Sequence, residues 1–290
     1  MRFDAAFEAR LAALDLALRR ALPASRRGDR RSPRRKGSSL EFADHRAYAP
    51  GDDVRHLDWS ALARLDQLLV RVYHDEEELE LNLVLDESAS MSVGEPPKCE
   101  LARGVVMALA YIAAGRGHRI TLSLLTDECT PGLPRSGRAA YESVREALAG
   151  AEAKGRRGLG DRTRELVGRR VPRGMTVLVS DFLDPEGPAA VLRCLQRPSL
   201  ELNLIQVLAP EELDPQLDGD LVLEDLETST RVEVSTSLEL LTAYRRRARA
   251  FVALWADDAR RRGAAFASFR SDEALETVCL SGLLREGILR

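Results

Sequence analysis

The sequence predicts an α/β fold: a doubly wound, mostly parallel sheet with an N-terminal helix and extension ahead of it. Three observations lead there. From residue 79 onward, short apolar runs alternate with longer helical stretches, the order that a parallel sheet requires because each strand needs a crossover before the next. The runs are apolar throughout, as in LNLVL (81–85) and MTVLV (175–179), so both faces of the sheet must be covered. Two of these runs end in an acid, Asp86 and Asp181, at the carboxyl ends of strands, where such folds gather ligands.

Taken in order, Phe3, Phe7, Leu11, Leu14, Leu18 and Leu22 recur at helical spacing, which predicts one amphipathic helix over 1–22, stopped by Pro23. Residues 23–37 have no periodicity and read as a basic linker. Residues 38–78 are mixed, with turn chemistry at Pro50 to Asp53 and an alternating strand at 68–73. The main domain, 79–290, then gives a strand at 81–85, a helix at 100–115, a strand at 119–125 and a short return strand within 126–133. Helices near 138–150 and 162–170 precede a strand at 175–182. A helix at 187–196, a strand at 200–208, a hairpin at 220–234 and a long helix at 237–262 follow. A strand at 264–269 and a helix near 273–285 close the chain.

Composition narrows the function. With 290 residues, 44% hydrophobic and 31% charged, the chain can bury a sizeable core. A net charge of −3 offers no general attraction to nucleic acid. The basic stretch 24–36 lacks the interleaved aromatics that stack bases, so a solvated tether or a dock for an acidic surface is expected there. Cys99, Cys129, Cys194 and Cys279 are scattered, without metal-ligand spacing, which predicts reduced thiols and a cytoplasmic protein. The first 22 residues do not read as a signal peptide, and no window is long and apolar enough to span a membrane.

The residues that could carry chemistry cluster at DESAS (86–90). Alternation in a tight loop lets Asp86, Ser88 and Ser90 converge, and hard cations such as Mg²⁺ prefer such oxygen donors. Asp181 could supply a second carboxylate and Thr163 another hydroxyl. The plainer reading is helix capping, with Asp or Ser satisfying free N–H groups of the next helix. Glu87 should point away from the convergence, into solvent.

Asp86-Glu87-Ser88-Ala89-Ser90, with Thr163 and Asp181, resembles the metal-ion-dependent adhesion site of von Willebrand factor A domains. Upstream, Phe42, Asp44, Arg46, Tyr48, Gly51, Asp52, Asp53, Arg55, Asp58 and Trp59 match the signature of the bacterial domain-of-unknown-function family 58. The resemblance covers about 38–290. It implies a von Willebrand factor A-like, Rossmann-like fold and Mg²⁺ (or Mn²⁺ or Ca²⁺) held by Asp86, Ser88, Ser90, Thr163 and Asp181. It also implies a MoxR-type AAA+ ATPase as partner, with an acidic client side chain completing the metal shell. Two departures stand out: a soluble helix where many relatives begin with two membrane helices, and a Thr163 loop poorer in glycine.

The signature is expected to form a lock in which Arg46 or Arg55 pairs with Asp52, Asp53 or Asp58 while Trp59 packs, or else to dock a partner. The four histidines lack catalytic spacing, and no phosphate-binding glycine loop occurs. The expected function is therefore a non-enzymatic adaptor or assembly factor that binds a partner through the cation, without nucleic acid or a membrane segment. The alternative is a metal-dependent hydrolase or phosphotransferase using Asp86.

Overall fold

The computed structural model describes residues 3–17, 41–48, 57–74, 80–127, 129–169, 174–196, 200–225 and 230–290. In chain order the elements are α1 (Ala5–Ala12), β1 (Glu41–Ala47), α2 (Trp59–Leu65), β2 (Leu69–His74) and β3 (Glu80–Asp86), then a 3-10 turn over Ala89–Ser92. Next come α3 (Lys98–Gly115), β4 (Arg119–Leu125), β5 (Cys129–Pro131), β6 (Arg135–Ser136), α4 (Gly137–Ala149), α5 (Leu159–Gly168) and β7 (Gly174–Ser180). The chain continues through α6 (Pro188–Leu195), β8 (Leu200–Leu208), α7 (Pro210–Leu213), the hairpin β9 (Asp220–Glu224) and β10 (Arg231–Ser235), α8 (Leu238–Arg261) and β11 (Ala265–Arg270). A last helical stretch, α9 (Leu275–Thr277), passes through a π-turn into α10 (Leu283–Arg285).

Two compact units result, one from Met1–Pro23 with Leu79–Arg290 and one from Ala24–Glu78. In the smaller unit β1 and β2 form an antiparallel ribbon, and α2 is capped by the Asp58 carboxylate, which accepts from the Ser60 and Ala61 N–H groups.

In the larger unit the strand order is β11-β8-β7-β3-β4-β5, with β6 also on β4. Five strands run parallel, and β5 and β6 return antiparallel to β4. The order reverses between β3 and β7, so the sheet is doubly wound with its switch point there. Side chains alternate between two cores. Leu81, Leu83 and Leu85 face one side with Val177 and Val106. Val84, Leu178 and Leu204 face the other with Leu166 and Trp255.

The expected helix over 1–22 is shorter, closing at Ala12. Phe7 and Leu11 are buried, but Leu16 leaves the helical path to pair with Leu289, because Asp15 and Ala17 exchange backbone hydrogen bonds with the C-terminal residues. Leu18, Leu22 and the basic linker lie outside the described residues. The N-terminal helix thus belongs to the same unit as the sheet. Among the described residues, no helix is long and apolar enough to cross a membrane.

Candidate functional site

The site stands at the switch point. β3 ends in Asp86, whose Oδ1 accepts the Ser88 N–H at 2.9 Å, a tight turn that swings the following loop back over the strand. This places the Ser88 and Ser90 hydroxyls 3.0 Å apart. Arg162 of α5 donates to the same Oδ1 at 2.6 Å and to the Leu125 carbonyl, at the end of β4, at 2.6 Å. From β7, the Ser180 hydroxyl donates to Asp86 Oδ2 at 2.6 Å and accepts the Phe182 N–H at 2.9 Å.

Asp181 makes a separate set of bonds. Its Oδ2 accepts from Lys98 Nζ at 2.8 Å, its Oδ1 from the Leu183 N–H at 3.0 Å, and its carbonyl from Gln206 Nε2 at 2.9 Å. Lys98 opens α3, where the helix dipole disfavours a cation, and it is fully buried. Asp181 and the Glu212 carboxylate compensate. Burial works against the Lys98 ammonium, but these two acids outweigh it and its pKa lies above the ordinary lysine value. Burial pushes the Glu212 carboxyl up, with Lys98 pulling the other way. Glu212 also accepts the Ala209 N–H at 2.8 Å, and Tyr244 donates to the Glu212 carbonyl at 3.0 Å.

Phe182 follows at φ +60°, a left-handed backbone that costs a bulky residue about 1–2 kcal/mol. The Ser180 bond and a stack on Trp255, with ring centres 4.4 Å apart, hold it there.

Sequence reasoning and geometry therefore meet in part. Asp86, Ser88 and Ser90 come together in one turn. β7 reaches Asp86 through Ser180, the residue before Asp181. Thr163 is buried with its hydroxyl unpaired, and the α5 side chain that reaches Asp86 is its neighbour Arg162, since successive helical residues point about 100° apart. Glu87 corrects the expectation of exposure: it is fully buried and takes a two-pronged ion pair from Arg103 of α3 at 2.9 and 2.6 Å. Its carbonyl is tied to the Lys154 and Gly155 N–H groups, which turns the side chain inward. Burial pushes the Glu87 carboxyl up, and Arg103 pulls it back.

In the signature, Asp58 is the cap of α2, and the Tyr48 N–H donates to the Leu68 carbonyl at 2.9 Å. Arg46 lies on β1 opposite Val70. Trp59 is 64% exposed rather than packed, because the buried residue of this short helix is Ala61. Gly51, Asp52, Asp53 and Arg55, and with them the expected lock, lie outside the described residues.

The donor types suit a hard cation and the Thr163 hydroxyl is unpaired, but a cation of the chain already sits on each carboxylate. Asp86 accepts three hydrogen bonds, one from a guanidinium, and Asp181 holds an ammonium. Among the described residues, no three His, Cys, Asp or Glu side chains converge as a metal cage. In this arrangement the residues do not fit a resident divalent ion.

Lys98, Arg103, Arg162, Ser180 and Glu212 escaped sequence reasoning. The one available signal was Lys98 itself, a charge at the very start of a helix whose later turns, from Gly104 to Gly115, are uncharged.

Comparison with known proteins places the chain. Two uncharacterized proteins, of Mycobacterium tuberculosis (strain H37Rv) and Mycobacterium bovis, are each 32% identical over 242 residues, covering 81% of this chain and 76% of theirs. Among solved structures, an aerotolerance-related membrane protein of Bacteroides fragilis is similar over 72% of this chain and 98% of its own, with 15% identity and a TM-score of 0.46. A von Willebrand factor type A protein of Catenulispora acidiphila is similar over 76% of this chain and 43% of its own, with 13% identity and a TM-score of 0.40. The family described as protein of unknown function DUF58 matches residues 44–252, and with relatives at this identity and coverage the chain belongs to that family.

Proposed function

We propose that this protein is a non-enzymatic adaptor that captures a partner protein at the carboxyl end of its sheet. One observation carries the reading: the acids of the switch point are already engaged. Asp86, the one residue placed to act as a nucleophile, is 1% exposed and shared among Arg162, Ser180 and the Ser88 N–H. Asp181 and Glu212 hold Lys98, and Glu87 holds Arg103. A nucleophile or general base must reach substrate, and Asp86, Asp181 and Glu87 are instead buried in ion pairs within the fold. This speaks against the hydrolase or phosphotransferase alternative.

What the face offers outward is shape and apolar surface. Leu183, two residues beyond Asp181, is 45% exposed on a loop whose backbone is fixed from beneath by Asp181 and Gln206. A rigid loop carrying an exposed leucine suits protein recognition, since little ordering remains to be done on binding. The partner implied by the family resemblance is a MoxR-type AAA+ ATPase. A divalent cation bridging to an acidic client would require Arg162 and Lys98 to release the two carboxylates first.

The test is capture of a purified MoxR-type AAA+ ATPase by the tagged protein. Leu183→Arg should reduce capture at least tenfold while leaving the melting temperature within about 2 °C, because the side chain is on the surface. Undiminished capture by that variant would remove the switch-point face from consideration.

A further inference from the structure

We propose that Arg162 and Lys98 take the place of a divalent cation at the switch point, so that this face keeps its shape without metal. The inference concerns the face assigned above to the partner, but its metal and pairing measurements use this protein alone.

Three features argue for it together. The first is charge. Asp86 and Asp181 each have a full positive charge at hydrogen-bonding distance, 2.6 Å to Arg162 and 2.8 Å to Lys98. A divalent ion brought to the same carboxylates would meet both cations as like charges in a desolvated setting, where such repulsion is only weakly screened.

The second is coordination. A magnesium ion requires oxygen lone pairs arranged octahedrally around it. Asp86 Oδ1 already accepts two hydrogen bonds and Oδ2 accepts a third. Both oxygens of Asp181 are bonded as well.

The third is anchorage. A surface lysine or arginine could swing aside to admit an ion, but these two are built in. Arg162 is 1% exposed and Lys98 fully buried. Each is gripped from two directions: Arg162 by Asp86 and the Leu125 carbonyl, Lys98 by Asp181 and Glu212. Removing either cation breaks ties to two separate parts of the fold. Arg162 joins α5 to the ends of β3 and β4, and Lys98 joins α3 to the end of β7 and to α7. A bound metal would make the same kind of cross-connection among loops.

The experiment has two arms. In the first, thermal unfolding of the wild-type chain is followed in EDTA and in millimolar MgCl₂, MnCl₂ or CaCl₂. The expected shift is below about 1 °C. A rise of about 3 °C or more, the size expected for a cation at ten or more times its dissociation constant, would overturn the proposal.

The second arm tests the pairing. Arg162→Met strands a buried carboxylate, and the double variant Arg162→Met/Asp86→Asn should recover most of the lost melting temperature, since the charge and its partner leave together. A double variant that loses the sum of the two single losses would show that the two are not counter-ions. Should Arg162→Met fail to fold, Lys98→Met with Asp181→Asn supplies the same cycle on the second pair. A metal response would leave the adaptor reading standing, whereas undiminished capture by Leu183→Arg would leave this inference untouched.

Discussion

Lys98 shows how little a single residue reveals of its surroundings. It is one of three lysines in a chain that otherwise uses arginine, and it sits between Pro97 and Cys99 with nothing in its neighbours to announce burial. Its partners, Asp181 and Glu212, lie 83 and 114 residues away. Long-range pairing of this kind is invisible to spacing. Asp86 and Asp181 were legible because an apolar strand ending in an acid is a local pattern, whereas Arg162 looked like any charge on a helix. Glu87 misled for the opposite reason: alternation sends it away from Asp86, but away here means onto α3 and not into water. The Glu87–Arg103 pair carries a residue-scale prediction. Arg103→Ala, which leaves Glu87 buried and unpaired, should lower stability by about 3 kcal/mol. Glu87→Gln removes the charge itself and should cost no more than about 1 kcal/mol. Chemical denaturation of the two variants measures the contrast, and equal losses would mean that stranding the Glu87 charge adds no cost of its own.

Among the elements, β7 is positioned by a close approach that no residue but glycine permits. Gly174 adopts φ +142°, and a Cβ there would lie 2.0 Å from the Glu80 carbonyl oxygen. Gly174→Ala should therefore destabilise by about 3–4 kcal/mol, a loss typical of strain at a special backbone position. A variant with unchanged denaturation midpoint would show that the start of β7 can shift away from β3. The long helix α8 makes a different contribution. Although it runs from Leu238 to Arg261, its buried residues are Trp255, Asp258 and Ala259, so it is anchored near its C-terminal end. Trp255→Ala should cost about 3–5 kcal/mol. It should also free the Phe182 backbone, seen as faster amide exchange at Phe182 and Leu183, and protection left at wild-type level there would detach the stack from the loop. Strands and helices of the sheet were readable because burial on both faces leaves long apolar runs. The break in the N-terminal helix was not, since Leu14 and Leu16 keep an apolar character whichever backbone they adopt, and the pairing of Leu16 with Leu289 joins opposite ends of the chain.

At the scale of the molecule, that pairing closes the larger unit on itself. Asp15 accepts from Arg290 at 3.0 Å and lies 3.9 Å from His118, while the Arg290 N–H donates to the Asp15 carbonyl. Partial burial raises the Asp15 carboxyl, but the Arg290 bond, the Leu16 N–H and the charges of Arg290 and Arg116 outweigh it, so its pKa falls below the ordinary 3.8. A lowered carboxylate adds stability that is present above its unfolded value and lost as pH falls through the folded one. The stability that Asp15 adds over an Asp15→Asn variant should therefore be present at about pH 5 and shrink as pH falls below 3.8. A difference that persists undiminished into stronger acid would locate the effect elsewhere. The clasp has a further consequence. Asp15 approaches His118, and Glu80 approaches the next residue, Arg119, at 3.7 Å, so Asp15 and Glu80 lie at one end of the sheet. To the larger unit, residues 24–78 are one insertion, and the entropy of closing a loop grows only with the logarithm of its length. Replacing that stretch with about eight glycines and serines is three halvings, a gain of about 2 kcal/mol at most. The shortened chain should unfold cooperatively by itself, which would mark the signature segment as a passenger that natural selection could graft, lengthen or exchange without disturbing its carrier.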